Sequence, residues 1–206
     1  MALPLSRERV LDAALQVVDD AGLPGVSMRA VASRLGVEAM SLYHHVASKQ
    51  ALLDGLVDLV VQTAELPTDP AHPEDWLRGT AAALRRLAQE HPRRVALLSI
   101  RTLPLADPRS AEPFEAGLRV FVEAGRDVRS AFLALQSASL ALLAMAELEA
   151  MAAGHDGTDD SASGFASLPP EQFPLLLQVV TENPGPDEVW TTLVDALVRG
   201  LDCEGP

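Results

Sequence analysis

Hydrophobic positions along this chain of 206 residues repeat every three to four residues, which is the spacing of amphipathic helices. The first such segment is residues 6–21, whose apolar side chains share one helix face: Val10, Ala13, Ala14, Val17 and Val18. Gly22 follows directly and offers a helix end. The pattern therefore predicts a first helix over residues 6–21.

Three more helical segments are predicted before residue 67. Ser27 is placed to cap a short helix that ends at Gly36, where a glycine allows a turn with positive φ. A second short piece covers residues 37–44, and Ser48 caps a longer helix that Pro67 ends. This arrangement predicts a three-helix unit over residues 1–50, called the head below, followed by a connecting helix at 51–66.

A Pro-rich joint, PTDPAHP, separates these helices from residues 67–206, called the body below. The predicted helices of the body are 75–91, 93–103, 109–124, 127–153, 169–181 and 186–201. A polar loop rich in Gly, Ser and Asp covers 154–168. The helix at 127–153 is apolar around its circumference, so it is expected to be covered by other protein. The predicted fold class is all-α.

Composition agrees with helices and narrows the chemistry. Hydrophobic residues make up 48% of the chain but aromatic residues only 4%, so the core must consist mainly of Leu, Val and Ala. Cys203 is the single cysteine, which excludes an internal disulfide and a cysteine metal motif. A basic-then-apolar leader and an uninterrupted run of 18 apolar residues are both missing. We therefore expect a cytoplasmic protein that does not associate with membranes.

Charge is distributed unevenly. The net charge of −13 argues against nucleic-acid binding, which requires cations. Between Ser27 and Lys49, however, the sequence contains three cationic residues and one anionic residue, a local net charge of +2. An acidic body would orient such a patch toward DNA, because the remainder of the molecule is repelled.

The same segment has the features of a helix-turn-helix, in which one short helix supports a second that enters the major groove. Ala32 is small where two helices must approach closely, and Gly36 allows the turn between them. Val37 and Leu42 can anchor the second helix inward. The positions left nearer the outer face are Glu38, Ala39, Met40, Ser41, Tyr43 and His44.

Residues 25–56, GVSMRAVASRLGVEAMSLYHHVASKQALLDGL, resemble the N-terminal domain of TetR-family regulators. The matching positions are Ser27, Arg29, Ala32, Leu35, Gly36, Val37, Leu42, Tyr43, His45, Val46 and Lys49. The remainder of the chain resembles the tetracycline-repressor branch of that family more weakly. The resemblance implies a ligand-controlled transcriptional regulator with a DNA-binding head and a helical ligand-binding body.

Residue roles follow from the resemblance position by position. Ser27 and Arg29 would contact the DNA backbone or a base at the groove edge, and Tyr43 and Lys49 would hold phosphates. His44 would contact a base or a phosphate. The implied DNA-binding set is Ser27, Arg29, Ala39, Met40, Ser41, Tyr43, His44 and Lys49. Ala39 and Met40 replace residues that the tetracycline branch uses for base contact, and they could pack on thymine methyl groups. Tyr43 could instead be a core aromatic residue, and His45 is interpreted as structural.

A ligand pocket is expected among the helices of residues 74–150, apolar with a few polar groups. The candidates are Trp76, Arg101, Thr102, Phe114, Phe121, Gln136, Ser139, Met145 and Glu147. Each could instead belong to the core or the surface, and Arg101 and Glu147 could pair with each other. The metal-binding histidines of the tetracycline branch are replaced here: Glu65 lies near the first site, and the second stretch contains no histidine. We therefore expect no metal, no cofactor and no tetracycline–magnesium binding of that kind.

A homodimer is implied, with the helices at 127–153 and 186–201 as its candidate interface. One stripe of the last helix is predicted to belong to this interface: Trp190, Leu193, Leu197 and Leu201. The alternative is that this stripe belongs to the core of the monomer. Gly55, in the connecting helix, is a possible soft point for motion between head and body.

The predicted function is a ligand-responsive regulator, expected to be a repressor, that binds a pseudo-palindromic operator as a homodimer. A small apolar effector of unknown identity would release it from double-stranded DNA. Motifs such as HExxH, GxSxG or a phosphate-binding loop do not occur, and the five histidines lack metal spacing, so an enzyme is not expected. The alternative is a helical protein-interaction module that no longer binds DNA.

Overall fold

The computed structural model of the chain describes residues 4–100, 107–153, 168–182 and 184–202. Within these ranges the secondary structure is helical, without strands, which confirms the predicted all-α fold. The helices are α1 Arg7–Ala21, α2 Met28–Leu35, α3 Ala39–Leu42, α4 Lys49–Thr63, α5 Pro73–Glu90, α6 Pro92–Ser99, α7 Pro108–Glu123, α8 Val128–Ala153, α9 Pro174–Glu182 and α10 Pro186–Asp202. The candidates Arg101 and Thr102 and residues 154–167 of the predicted loop lie outside the described residues, as does the side chain of Leu201.

Serine side chains set the starts of the helices in the head. Ser6, Ser27 and Ser48 each accept a hydrogen bond from the backbone N–H three residues later, at 3.3, 3.1 and 3.0 Å. Gly36 ends α2 in the left-handed region, with φ of 68°. These local contacts explain why the predicted starts of the helices in the head agree closely with the structure.

The ends of several helices differ from the predicted ones. The helix after Ser48 stops at Thr63, and Glu65 takes a positive φ of 54°. Pro67 disfavours helical geometry at the residue before it, so the chain must leave the helix before Leu66. The helix predicted at 169–181 begins only at Pro174, because residues 169–172 form a turn.

One hydrophobic cluster runs from the head into the body. It joins residues of α1, α2, α3 and α4 to Leu84 and Leu87 of α5, to Val95 and Leu97 of α6, and to Leu142 of α8. A smaller cluster lies between α5, α7 and α8, around Trp76 and Phe121. The head is therefore packed directly on the body and not connected to it by α4 alone.

Helix α8 is the longest described helix and packs against α5, α6 and α7. Its core face is formed by small and aliphatic residues: Ala131, Leu135, Ala138, Leu142 and Ala146. By length and composition it could also cross a membrane, a criterion that core helices of soluble proteins meet as well. Its opposite face remains apolar and exposed, at Leu133, Leu140, Leu148 and Met151.

Candidate DNA-reading head and ligand cavity

Helices α2 and α3 form the predicted helix-turn-helix. Val31 and Ala32 of α2 and Leu42 of α3 are buried in the main cluster, so they fix the two helices against each other and against α1. Helix α3 is only one turn long, and helical bonds continue past it to Val46. This packing leaves the opposite side of α3 to solvent.

The predicted DNA-binding residues lie at the surface of the head. Arg29, Met40, Tyr43, His44 and Lys49 are exposed. Met40 exposes 73% of its surface and Tyr43 46%, so the alternative that Tyr43 is a core aromatic residue is not supported. The remaining three are half-buried: Ser27, Ala39 and Ser41. The exposed apolar Met40 has no role in the packing of the head.

The cationic patch is smaller than the sequence indicates. Arg34 donates hydrogen bonds to Asp20 and, at 2.7 Å, to Gln16, so its charge is held against α1. Arg29 and Lys49 make no ion pair within the described part of the chain. These two side chains are therefore the cations of the segment that are available to phosphates.

A second group of arginines fastens the head to the body. Arg94 of α6 donates to both carboxylate oxygens of Asp19 at the end of α1, from Nε at 2.8 Å and from Nη2 at 2.7 Å. Arg93 donates to the backbone carbonyls of Asp19 and Asp20, the last turn of α1. The Arg94 guanidinium lowers the pKa of Asp19 below its usual value, against an opposing effect of burial. We call these contacts the α1–α6 clamp.

A cavity of about 330 Å³ lies between α4 and the helices α5, α6, α7 and α8 of the body. Residues predicted for a pocket and found along its wall are Trp76, Phe114, Gln136, Ser139 and Glu147. Two other candidates do not reach it. Phe121 is fully buried behind Trp76, in an edge-to-face contact with 6.3 Å between the ring centres. Met145 packs against the main cluster from another face of α8.

Several wall residues were missed by sequence reasoning. Val57 and Val61 of α4 and Leu98 of α6 line the cavity, although their pattern is the same as that of core positions. Thr80 also lines it, and its Oγ1 is buried without a hydrogen-bond partner in the described structure. The sequence feature that could have indicated Thr80 as a wall residue is its single hydroxyl in the otherwise apolar segment TAAAL.

Polar contacts at the wall are few. The Trp76 indole donates to the carbonyl of Pro113 at 2.9 Å, which fixes the ring against α7. The Ser99 hydroxyl donates to Oε1 of Glu147. Glu65, near the position of a family metal ligand, lies outside the cavity and pairs with Arg86 at 3.1 Å.

The predicted dimer stripe on α10 is directed into the chain. Trp190 exposes only 3% of its surface, and Leu193 and Leu197 pack on the main cluster. The Trp190 indole donates to Glu149, and the Arg85 guanidinium lies 5.7 Å from the centre of its ring. Trp190 therefore belongs to the core of the chain, as the alternative interpretation holds, whereas Leu193 and Leu197 are half-buried and stay predicted interface residues.

Comparisons with known proteins agree with this architecture. Residues 10–56 match the family described as bacterial regulatory proteins, tetR family. The tetracycline repressor protein class C of Escherichia coli is 31% identical over 204 residues, which cover 96% of this chain and 91% of the relative. The class D repressor of Escherichia coli is also 31% identical, over 97% and 90%. The structure of ActR of Streptomyces coelicolor in complex with actinorhodin gives a TM-score of 0.81 at 26% identity, over 97% of each chain.

Proposed function

The chain belongs to the TetR family of bacterial transcriptional regulators, and we propose that it is a repressor released from its operator by a small, mostly apolar effector. Residues 1–50 would read DNA, residues 51–66 would connect, and residues 67–206 would bind the effector and a second copy of the chain. Members of this family are DNA-binding regulators and not enzymes, and we expect this one to act in the cytoplasm.

One observation supports this function above the others: two helices contact both the head and the cavity. Helix α4 contributes Leu56 to the main cluster and Val57 to the cavity wall. Helix α6 holds the end of α1 through the α1–α6 clamp, and its last turn, with Leu98, lines the cavity. An effector that fills the cavity therefore pushes on the same helices that position the reading surface.

The proposed mechanism is a shift between two arrangements of the heads. A ligand changes such an equilibrium only by binding one arrangement more tightly than the other. Helices α4 and α6 line the cavity. The arrangement that accommodates the effector therefore differs from the DNA-bound arrangement in the positions of these two helices and of the head. Release of DNA follows if that arrangement spaces the two heads wrongly for the operator.

Homodimerisation supplies the second head. The exposed apolar residues of α8 lie about two, two and one helical turns apart, which places them on one side of the helix: Leu133, Leu140, Leu148 and Met151. The outward side of α10 adds Val189 and Thr192, which are exposed beside the predicted stripe. Burial of these faces in a two-fold dimer would present two reading helices about 34–36 Å apart to a pseudo-palindrome.

Selection of bound sequences from a random DNA pool, followed by gel shifts over a range of salt concentrations, tests the proposal. Lys49→Ala should weaken binding to all sequences and reduce the salt slope by about one, whereas Met40→Ala should change the preference among sequences. Arg119→Ala removes an exposed cation on α7, in the body, and serves as the matched control. Absence of DNA binding by the unaltered protein at low salt would refute the proposal and favour the protein-interaction module.

A further inference from the structure

We infer that the effector of this chain is a long, mostly apolar molecule that carries a cationic amine, with the amine placed against Glu147. The inference rests on the proposed function, because it takes the cavity to be the effector site. It adds the charge and the shape of the molecule, which neither the fold nor the family determines.

The shape follows from the positions that α8 contributes to the cavity wall. Gln136 and Glu147 both line the cavity and are eleven residues apart on one helix. With a rise of about 1.5 Å per residue, they lie about 16 Å apart along the axis. Leu140 and Leu143 line the wall between them. The cavity is thus elongated along α8, with Gln136 and Ser139 toward one end and Glu147 toward the other.

The charge follows from the surroundings of Glu147. Among the described residues that line the cavity, Glu147 is the one with a formal charge. Its Oε1 accepts a hydrogen bond from Ser99, and no cation of the described chain forms an ion pair with it. A carboxylate at an apolar wall loses solvation when the cavity is filled, and a cationic partner compensates for this loss. An anionic effector at this position would be repelled.

Other half-buried carboxylates of the chain are treated differently. Glu149, two residues further along α8, accepts hydrogen bonds from Arg85, Gln89 and Trp190. Asp19 is held by Arg94. Asp58 has an oxygen without a partner, but it does not line the cavity. Among the described residues, Glu147 is therefore the wall carboxylate that can bind a ligand.

Thr80 offers a second polar contact from the opposite helix. Its buried hydroxyl oxygen has no partner in the described structure, and leaving such a group unpaired is unfavourable. A ligand oxygen or nitrogen that reaches it would remove this penalty. The expected molecule thus has an apolar body, an amine at the Glu147 end and a further polar group along its length.

Three pyrene probes with the same ring and linker test the charge: pyrenebutylamine, pyrenebutanol and pyrenebutyric acid. They are titrated into the full-length protein without DNA, with pyrene emission as the readout. We expect the amine to bind about tenfold more tightly than the alcohol, and the acid to bind most weakly. Equal affinity of the three probes, tighter binding of the acid, or no binding of any probe would overturn the inference.

Two variants and one control assign the preference to the cavity. Glu147→Gln should remove the preference for the amine while leaving binding of the alcohol within about twofold. Glu90→Gln makes the same change on an exposed turn of α5 and should retain the preference. Ala144→Trp should weaken all three probes, because Ala144 lines the cavity. Retention of the preference by Glu147→Gln, or unchanged binding by Ala144→Trp, would overturn the assignment.

The two proposals fail separately. Probe binding is measured without DNA, so a charge preference that depends on Glu147 stands even if the protein binds no operator. Specific DNA binding with no charge preference would leave the proposed regulator intact and refute the amine.

Discussion

Removal of Arg94 is the sharpest test of how the head is held to the body. Arg94→Ala deletes two charge-assisted hydrogen bonds to Asp19, of 2.8 and 2.7 Å, while the bonds of Arg93 to the α1 carbonyls can remain. The variant should therefore weaken the α1–α6 clamp without creating a cavity in the main cluster. We expect a less stable protein whose helix content is unchanged.

The magnitude follows from exposure. The Arg94 side chain is 16% exposed and that of Asp19 34%, so the pair lies between a surface pair and a buried one. Exposed pairs contribute about 0.2–1 kcal/mol, and hydrogen bonds to charged groups about 1.5–3 kcal/mol. Solvent at Asp19 screens part of the attraction, so we expect a coupling energy of about 1–2 kcal/mol.

A double-mutant cycle measures this coupling by urea unfolding at a single protein concentration, using Arg94→Ala, Asp19→Ala and the double variant. The matched control is the cycle for Arg119 and Asp69, an exposed pair at 3.5 Å, which should give less than about 0.5 kcal/mol. Equal coupling in the two cycles would refute the argument that partial burial strengthens the clamp.

The same cycle has a pH dependence of known sign. Arg94 lowers the pKa of Asp19 in the folded chain below the usual 3.8, so the carboxylate stabilises the fold above that value. This contribution is lost as the pH falls through the lowered pKa. The difference in stability between the unaltered protein and Arg94→Ala should be constant near neutral pH and shrink below about pH 4. A difference that grows with acid would contradict the assigned pairing.

Three further predictions concern packing. Gly117→Ala should destabilise the protein by about 1 kcal/mol or more in thermal unfolding, because its Cβ would lie 2.8 Å from Cε2 of the buried Trp76 ring and this overpacking exceeds the gain in helix propensity; an unchanged melting temperature would contradict this. Leu148→Glu should shift sedimentation from dimer to monomer while the circular dichroism stays helical, and a persistent dimer would exclude the exposed face of α8 as the interface. Glu149→Gln should cost about 1 kcal/mol and change the emission of Trp190, since Arg85 keeps Asp187 but loses the carboxylate that it shares with the indole; a silent variant would show that this contact contributes little.

Sequence reasoning succeeded where structure is set locally. Ser27, Gly36 and Ser48 act on backbone groups within three or four residues, so the turns of the head could be located from the chain alone. Gly55 shows the limit of this approach. The sequence predicts a soft point there, but Gly55 is buried at the crossing of α1 and α4, where an added Cβ would lie 2.7 Å from Cδ2 of Leu11.

Less of the candidate site could be predicted from the sequence, because its geometry depends on contacts between residues that are far apart in the chain. The apolar stripe around Trp190 indicated burial correctly, but periodicity does not say whether the same chain or another covers it. The sequence indicates that the charge of Arg34 is available, whereas the fold places Asp20 beside it. Part of the cavity wall could be predicted, including Trp76 and Glu147. Val57 could not, because its sequence pattern is the same as that of a core position.

The cluster that runs from the head into the body has a consequence for engineered regulators. A hybrid that joins this head to a different body at the Pro-rich joint would keep Leu56 of α4 but lose Val95 and Leu142, which belong to the same cluster. It would also lose the arginines of α6 that hold the end of α1. The exchangeable unit is therefore the first four helices together with α6, and a functional graft has to carry both sides of that contact.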